Sequence, residues 1–439
     1  MAINPFRFHG AEDRAASGHA RTWYEATATE LPRHAVLEGE AQCDVAVVGG
    51  GLTGLSCALS LAERGYGVTL LEARRIGWGA SGRNGGQLLT GQRVDQITLE
   101  RRLGNGPARQ LWDLAEAAKC AVRSRMARHR IECDLAPGAL TAAVKTTDYA
   151  DLQKAADHLG THYAYDALRL VDPEAMHGFV ASRCYRGGLW DGEAGHLHPL
   201  NYALGLARAA AQAGVRLCEN SPVLSVTGSG PPVLVTDHAR LRAGAVVMAT
   251  NGYHTGLSPR IDDVVLPINS FVGVTRPLGP ELARSLLPRG GCVADTRFVL
   301  DYYRLTPDHR LLFGGGESYG PELPRRIEPI IRQRIARVFP QLKGVPVDYA
   351  WGGRLGVTRT RMPFIGTLGP DRYVAAGFSG QGLAITTQAG SVIAEAIAGT
   401  AERFDVYARL EPRILPGGRW FRRPLITLAM TWGALQDLL

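Results

Sequence analysis

Residues 43–73 constrain this chain more than any other segment. The run CDVAVV (43–48) is short, apolar and β-branched, as a buried parallel strand requires. GGGLTG (49–54) breaks it and satisfies the G-x-G-x-x-G pattern at Gly49, Gly51 and Gly54. Leu52, Leu55, Leu59 and Ala62 then recur at helical spacing, and Gly65 ends the helix. Val68 to Leu71 is a second strand, closed by Glu72. The segment is a complete βαβ unit of about 30 residues. Its first glycine permits the tight turn, the second lets a pyrophosphate approach the backbone, and the third lets helix and strand pack closely. The helix start offers unpaired N–H groups and a positive dipole end to phosphates. Glu72 is placed to accept hydrogen bonds from both hydroxyls of a ribose and to repel a 2′-phosphate. The unit predicts an ADP-binding site and leaves NAD and FAD both open.

Composition narrows the class. The chain has 439 residues, 45% hydrophobic and 21% charged, enough for two or three domains with real cores. Disorder, collagen and coiled coil are excluded. The net charge of +8 is spread over scattered arginines, which favours anionic small ligands over nucleic acid. Seven cysteines, an odd number without a C-x-x-C, imply free thiols in a reducing compartment and no zinc site. Met1 to Arg14 lacks a signal-peptide core and no run of 18 apolar residues occurs. The expectation is a cytoplasmic enzyme without a metal.

Further along, 106–130, 147–159 and 326–339 read as helices. Short β runs at 215–218, 222–226, 233–237 and 245–250 suggest a meander that returns to the parallel sheet. Residues 267–275, 298–306 and 310–315 suit an antiparallel sheet that walls a substrate site. YVAAGFSGQG (373–382) repeats the strand-then-glycine-loop pattern before a helix that runs to about residue 399.

Two glycine-rich loops turn the reading from NAD to FAD. GWGASGRNGGQ (77–87) follows the second strand and suits a pyrophosphate and ribityl chain, with Arg83 as a cation for the phosphates. GFSGQG (377–382) opens the last long helix, whose N-terminus would stabilise the negative charge a flavin gains on reduction.

With these motifs in hand, the chain resembles the D-amino-acid-oxidase superfamily of FAD-dependent amine oxidoreductases, and within it the gamma-glutamylputrescine oxidase group. The segments 43–73, GASGRNGGQ (79–87), GHLHPL (195–200), DYYRLT (301–306), RMPFIG (361–366), GFSGQG (377–382) and PGGRWFRRPL (416–425) carry the resemblance in order along nearly the whole chain. It implies an α/β fold: a Rossmann-like FAD-binding domain with a β-meander, plus a substrate domain on an antiparallel sheet. The expected division is an N-terminal arm (1–40), a discontinuous FAD-binding domain (41–94, 185–262 and 345–410), a substrate domain (95–184 and 263–344) and a C-terminal tail (411–439). By match to the family's motifs, Gly49, Gly51, Gly54 and Glu72 hold the ADP end. Ala80, Ser81, Arg83, Asn84, Gly86, Gln87 and Leu88 form the second flavin loop, Val223 meets the adenine, and Gly380, Gln381, Gly382 and Leu383 form the last.

Departures from the pattern matter. No cysteine follows Cys292 and residues 72–90 hold no histidine, so non-covalent FAD is expected. The run from Arg310 to Gly314 lacks the lysine that helps some relatives use O2. The last loop has Gln381 where histidine is common.

The implied reaction is hydride transfer from the carbon beside an amine nitrogen to the flavin, giving an imine that hydrolyses, with O2 reduced to hydrogen peroxide. An amine such as gamma-glutamylputrescine is the expected substrate. Electron transfer to a quinone or carrier is the first alternative and a tRNA-modifying flavoprotein the second. No residue stands out as the catalytic group. Tyr302, Tyr303 and Arg304 are candidate walls of the substrate site. Arg304 is either a carboxylate clamp or half of a structural ion pair, and Trp351 either an aromatic wall or core. His196 and His198 have ligand-like spacing but no third ligand nearby; His198 is a candidate support for the second loop. The tail, with Arg419, Arg422 and Arg423 before an apolar stretch, is expected to pack on its own domain or a neighbouring subunit, with the membrane surface as the alternative.

Overall fold

A computed structural model describes residues 18–29, 32–228, 230–254, 256–320, 322–410 and 412–414. Residues 1–17 of the arm and 415–439 of the tail, with the tail's expected packing or membrane role, lie outside the described residues.

Two sheets organise the chain. In the first, Gly39–Val48 is central and runs parallel to both Val68–Leu71 and Ala239–Met248. Arg216–Cys218 extends it parallel on one side and Arg372–Ala376 on the other. Central strands of this kind are buried on both faces, which explains the unbroken apolar run 45–48. The helices Leu52–Ala62, Pro199–Gln212 and Leu383–Ile397 share one hydrophobic core with this sheet. Ser225–Thr227 pairs antiparallel with Val233–Val235, which pairs antiparallel in turn with Ala239–Met248. Of the expected meander, the first run, 215–218, instead joins the sheet in parallel, and 222–226 is a strand only from residue 225.

The second sheet has nine strands and is mostly antiparallel. Leu266–Thr275 pairs with Val347–Val357 on one side and with Leu311–Ser318 on the other. Tyr302–Leu305 pairs with Leu311–Ser318 and with Cys292–Asp295. Three strands within stretches expected in the FAD-binding domain pair into the second sheet: Gln87–Leu88 of 41–94, Gly188–His196 of 185–262 and Val347–Val357 of 345–410. The first is only two residues long and neither of the others is a continuous apolar run, so nothing in their sequence marked them. Among the described residues no helix is long and apolar enough to cross a membrane.

Candidate functional site

The strand ends of the first sheet and one face of the second enclose a cavity of about 890 Å³. Gly49, Gly51, Leu52 and Glu72 line it together with Phe378, Gly380, Gln381, Gly382 and Leu383. Two glycine loops more than 300 residues apart therefore open into one space.

At the βαβ end, Gly49 has φ +111°, and a Cβ there would sit 2.7 Å from the Ala249 carbonyl. A Cβ on Gly54 would lie 2.0 Å from the Gly49 carbonyl. Gly54 thus serves close packing of helix on strand and does not itself line the cavity. Glu72 Oε2 accepts from Gly50 N at 2.7 Å and Oε1 from Arg74 N at 2.8 Å. Burial raises its pKa, and these two backbone bonds oppose the rise. Helix Leu52–Ala62 has no capping side chain at its N-cap Gly51. Ser81 from the second loop reaches over instead, its Oγ accepting from Leu52 N at 3.0 Å. Val223 lines the same end. The buried Thr250 hydroxyl, also on the cavity wall, has no partner among the described residues.

The second loop is held internally by Asn84, whose Nδ2 donates to the Ala80 and Ser81 carbonyls while Oδ1 accepts from Gly86 N. Arg83 stacks over Trp78, 4.1 Å from the ring centroid, and donates to the carbonyls of Trp78 and Gly352. Ala80, Ser81, Arg83, Asn84 and Gln87 line the cavity. Gly86 and Leu88 do not. A Cβ on Gly86 would meet the Leu197 carbonyl at 2.0 Å, and Leu88 is fully buried, so both hold the loop from behind.

The third loop carries backbone strain. Ser379 has φ +55°, a left-handed conformation costly for a non-glycine residue. Ser379 N donates to the Gly356 carbonyl, and Gly377 N donates to Asn251 Oδ1 at 2.9 Å. Helix Leu383–Ile397 starts here without a side-chain cap, leaving its first N–H groups for a ligand. Gln381 Nε2 donates to the Thr90 and Gly91 carbonyls, joining this loop to the chain after the second.

Among the candidate substrate residues, only Tyr302 reaches the cavity. Its ring lies in a slot between two glycines; a Cβ on Gly85 or on Gly314 would meet it at 2.6 or 2.0 Å. Burial raises its pKa, with a hydrogen bond to the Ser270 side chain opposing the rise.

Tyr303, Arg304 and Trp351 do not line the cavity, which favours the structural alternatives for Arg304 and Trp351. Tyr303 points to the opposite face of its strand, stacks on Phe313 at 5.4 Å and donates to the Tyr185 hydroxyl. Arg304 shares the face of Tyr302 but lies under the second loop, 2% exposed. It donates to the carbonyls of Gly85, Leu197 and Leu305 and to the Tyr24 hydroxyl. Trp351 is buried and its Nε1 donates to the Arg83 carbonyl at 2.9 Å. Neither lines the cavity; both brace the loop, their polar atoms committed to backbone carbonyls behind it. His198 caps helix Pro199–Gln212, Nδ1 accepting from Asn201 N, and meets Thr27 through Nε2. His196 lies near the same guanidinium. Burial, and secondarily Arg304, push both histidines down to about 3.

Arg93, Glu317 and Arg361, the last at the head of RMPFIG, line the cavity as well, and none of them is among the candidate site residues of the sequence. Glu317 accepts from the Tyr319 hydroxyl at 3.1 Å. Arg361, in a turn with φ +63°, sits 5.8 Å from the Phe298 ring. Three positions this far apart in sequence offered no local pattern to find.

The uncapped start of helix Leu383–Ile397, a carboxylate at the strand end, the open Thr250 hydroxyl and a cavity joining two glycine loops fit a dinucleotide with a long second half. Comparison with known proteins agrees. The model of the FAD dependent oxidoreductase family matches residues 44–396. The gamma-glutamylputrescine oxidoreductase of Escherichia coli (strain K12) is 40% identical over 422 residues, 96% of this chain and 99% of that protein. The probable oxidoreductase OrdL of Rhizobium meliloti (strain 1021) is 39% identical over 95% of this chain and 97% of that protein. Among solved structures, glycine oxidase from Geobacillus kaustophilus superposes with a TM-score of 0.71 at 23% identity, covering 84% of this chain and 98% of that one. L-proline dehydrogenase from P. horikoshii gives 0.68 at 21%, covering 86% and 100%. The fold is shared with both.

Proposed function

This chain belongs to the FAD-dependent oxidoreductase family, and from that premise we propose that it oxidises an amine of the gamma-glutamylputrescine kind with O2 as electron acceptor. One observation carries the reading: the loops 49–54 and 377–382 open into a single cavity that Tyr302 and Glu317 also line. The likeness to a gamma-glutamylputrescine oxidoreductase supports the substrate class.

Gly49, Gly51 and Glu72 would hold the ADP half, Ser81 and Arg83 the diphosphate region, and Gly380 to Leu383 the flavin ring. FAD there supplies acceptance of a hydride from the carbon beside the amine nitrogen, with transfer of the electrons to O2 as hydrogen peroxide, while water hydrolyses the resulting imine. The chain's own part is positioning. The ring of Tyr302, held flat between Gly85 and Gly314, forms a rigid wall that sets the substrate's approach. The apolar Ile268, Val272 and Leu300 line the cavity beside it and exclude water from the amine, favouring the neutral base that can be oxidised. No general base among the lining side chains is needed for this step.

The test is aerobic turnover of gamma-glutamylputrescine, sarcosine, putrescine and D-amino acids, with peroxide and dye reduction measured in parallel. One peroxide per amine consumed supports the reading. Dye or quinone reduction without peroxide replaces O2 by a carrier, and no reaction with any amine removes the substrate class.

A further inference from the structure

Arg93, Glu317 and Arg361 come from the segment after the second loop, a strand of the second sheet and the turn before Phe364–Gly369. All three line the cavity, and each lies within electrostatic reach of the other two. Yet among the described residues neither guanidinium makes a hydrogen bond or an ion pair. Their surroundings do not neutralise them: Asp295 is taken by Arg297, and Asp301 by Arg334 and Arg337. Glu317 spends one oxygen on the Tyr319 hydroxyl and leaves the other open. Two half-buried guanidiniums that donate no hydrogen bond among the described residues, with the Phe298 ring beside Arg361, and one half-open carboxylate carry a desolvation cost that a ligand of complementary charge would offset.

The FAD diphosphate is not that ligand. Its cradle lies at the helix starts beside the first sheet, whereas Glu317 stands on the second, opposite Ser270 in register. A carboxylate amid the patch would repel a diphosphate and suits a ligand bearing both signs.

We infer that Arg93 and Arg361 bind the carboxylate, and Glu317 the ammonium, of an α-amino-acid head group at the end of the substrate opposite to the amine being oxidised. This deepens the function proposed above and rests on it. It makes the three residues the determinants of choice between an amine with such a head and a bare diamine. A fork of two guanidiniums suits the planar carboxylate, and the Glu317 oxygen left by Tyr319 is the acceptor for the ammonium.

The test has two arms. In the first, anaerobic flavin reduction compares gamma-glutamylputrescine with putrescine in wild type, Arg93→Met, Arg361→Met and Glu317→Gln. Wild type is expected to prefer the headed amine. Each variant should cut the kcat/KM ratio of headed to headless amine by about tenfold or more, with Arg93→Lys recovering part of the loss. In the second arm, calorimetry follows binding of gamma-glutamylbutylamide, which keeps the head and has no oxidisable amine, to the FAD-loaded protein. The same variants should bind it about tenfold more weakly. Flavin content and melting temperature show that each variant is folded. An unchanged ratio, or unweakened butylamide binding in folded variants, overturns the inference. Wild type that binds the butylamide but is reduced by no amine would support the head-group site and defeat the amine-oxidation reading instead.

Discussion

Arg304 Nε lies 3.0 Å from the Gly85 carbonyl, a side chain from the second sheet holding the backbone of the second glycine loop. Three neighbouring carbonyls are held in the same way. The Tyr24 hydroxyl donates to Asn84, Trp351 Nε1 to Arg83, and Leu197 N to Gly86. The two halves of a trans peptide point in opposite directions. Carbonyls held outward therefore turn the N–H groups of Asn84 and Gly85 towards the cavity that both residues line.

Replacing Arg304 by Met should accordingly loosen the loop without removing a substrate contact. Two buried carbonyls and the Tyr24 hydroxyl lose a donor, at a cost of about 3 kcal/mol in stability. A lower melting temperature and faster flavin loss are expected, with the preference among amines retained. A selective rise in KM for carboxylate-bearing amines at unaltered stability would restore Arg304 as a substrate clamp.

Glu72→Gln should weaken FAD by about tenfold. The amide oxygen still accepts from Gly50 or Arg74, but the charge that draws the ribose hydroxyls is gone. Fluorescence of released flavin on dilution reads this directly, and equal retention by the variant would remove Glu72 from the site.

Acid should destabilise the fold in a defined window. His196 and His198 have folded pKa values near 3 against 6.5 for a free side chain. Below pH 6.5 the unfolded chain binds protons that the folded chain refuses, so stability falls as pH drops. Asp295 acts oppositely. Burial and Asp301 raise it to about 6 from 3.8, so between those values the folded chain holds the extra proton. The two histidines contribute a loss of about 2.7 kcal/mol per unit of acidification between pH 6 and 4, opposed by Asp295 and by the raised carboxyls of Glu72, Glu116 and Glu317. Thermal melts across that range should show it. His198→Asn, which keeps a capping acceptor, should halve the histidine contribution. An equally steep slope in that variant would show that His198 is not the titrating group.

Much of this was legible in the sequence. The βαβ unit declared itself because 45–48 is apolar throughout and Glu72 closes the second strand. The loops at 79–87 and 377–382 were visible because such glycine density suits no core. What failed was direction. Tyr302 and Arg304 alternate onto one face, as strand geometry demands, but only the structure shows that the loop covers the second of them. Arg93, Glu317 and Arg361 did not stand out as site residues: Arg361 heads RMPFIG, but no local spacing links it to Arg93 or to Glu317, whose strand is placed by its pairing with Leu266–Thr275.

FAD should be held without a covalent bond. Precipitating the protein with acid should leave all flavin in the supernatant; yellow pellet after washing would show a tether at a residue the family resemblance did not identify.

The central claim is that two remote glycine loops hold opposite ends of one FAD. The direct measurement is calorimetric titration of flavin-free protein, wild type and two variants, with ADP and with FAD. Gly380 has φ +92°, so Gly380→Ala strains only the flavin-end loop. It should bind ADP as wild type does and FAD about tenfold more weakly. Gly51→Val, whose side chain would enter the space now held by Ser81, should lose both ligands. Undiminished FAD binding by a folded Gly380→Ala protein would contradict the account.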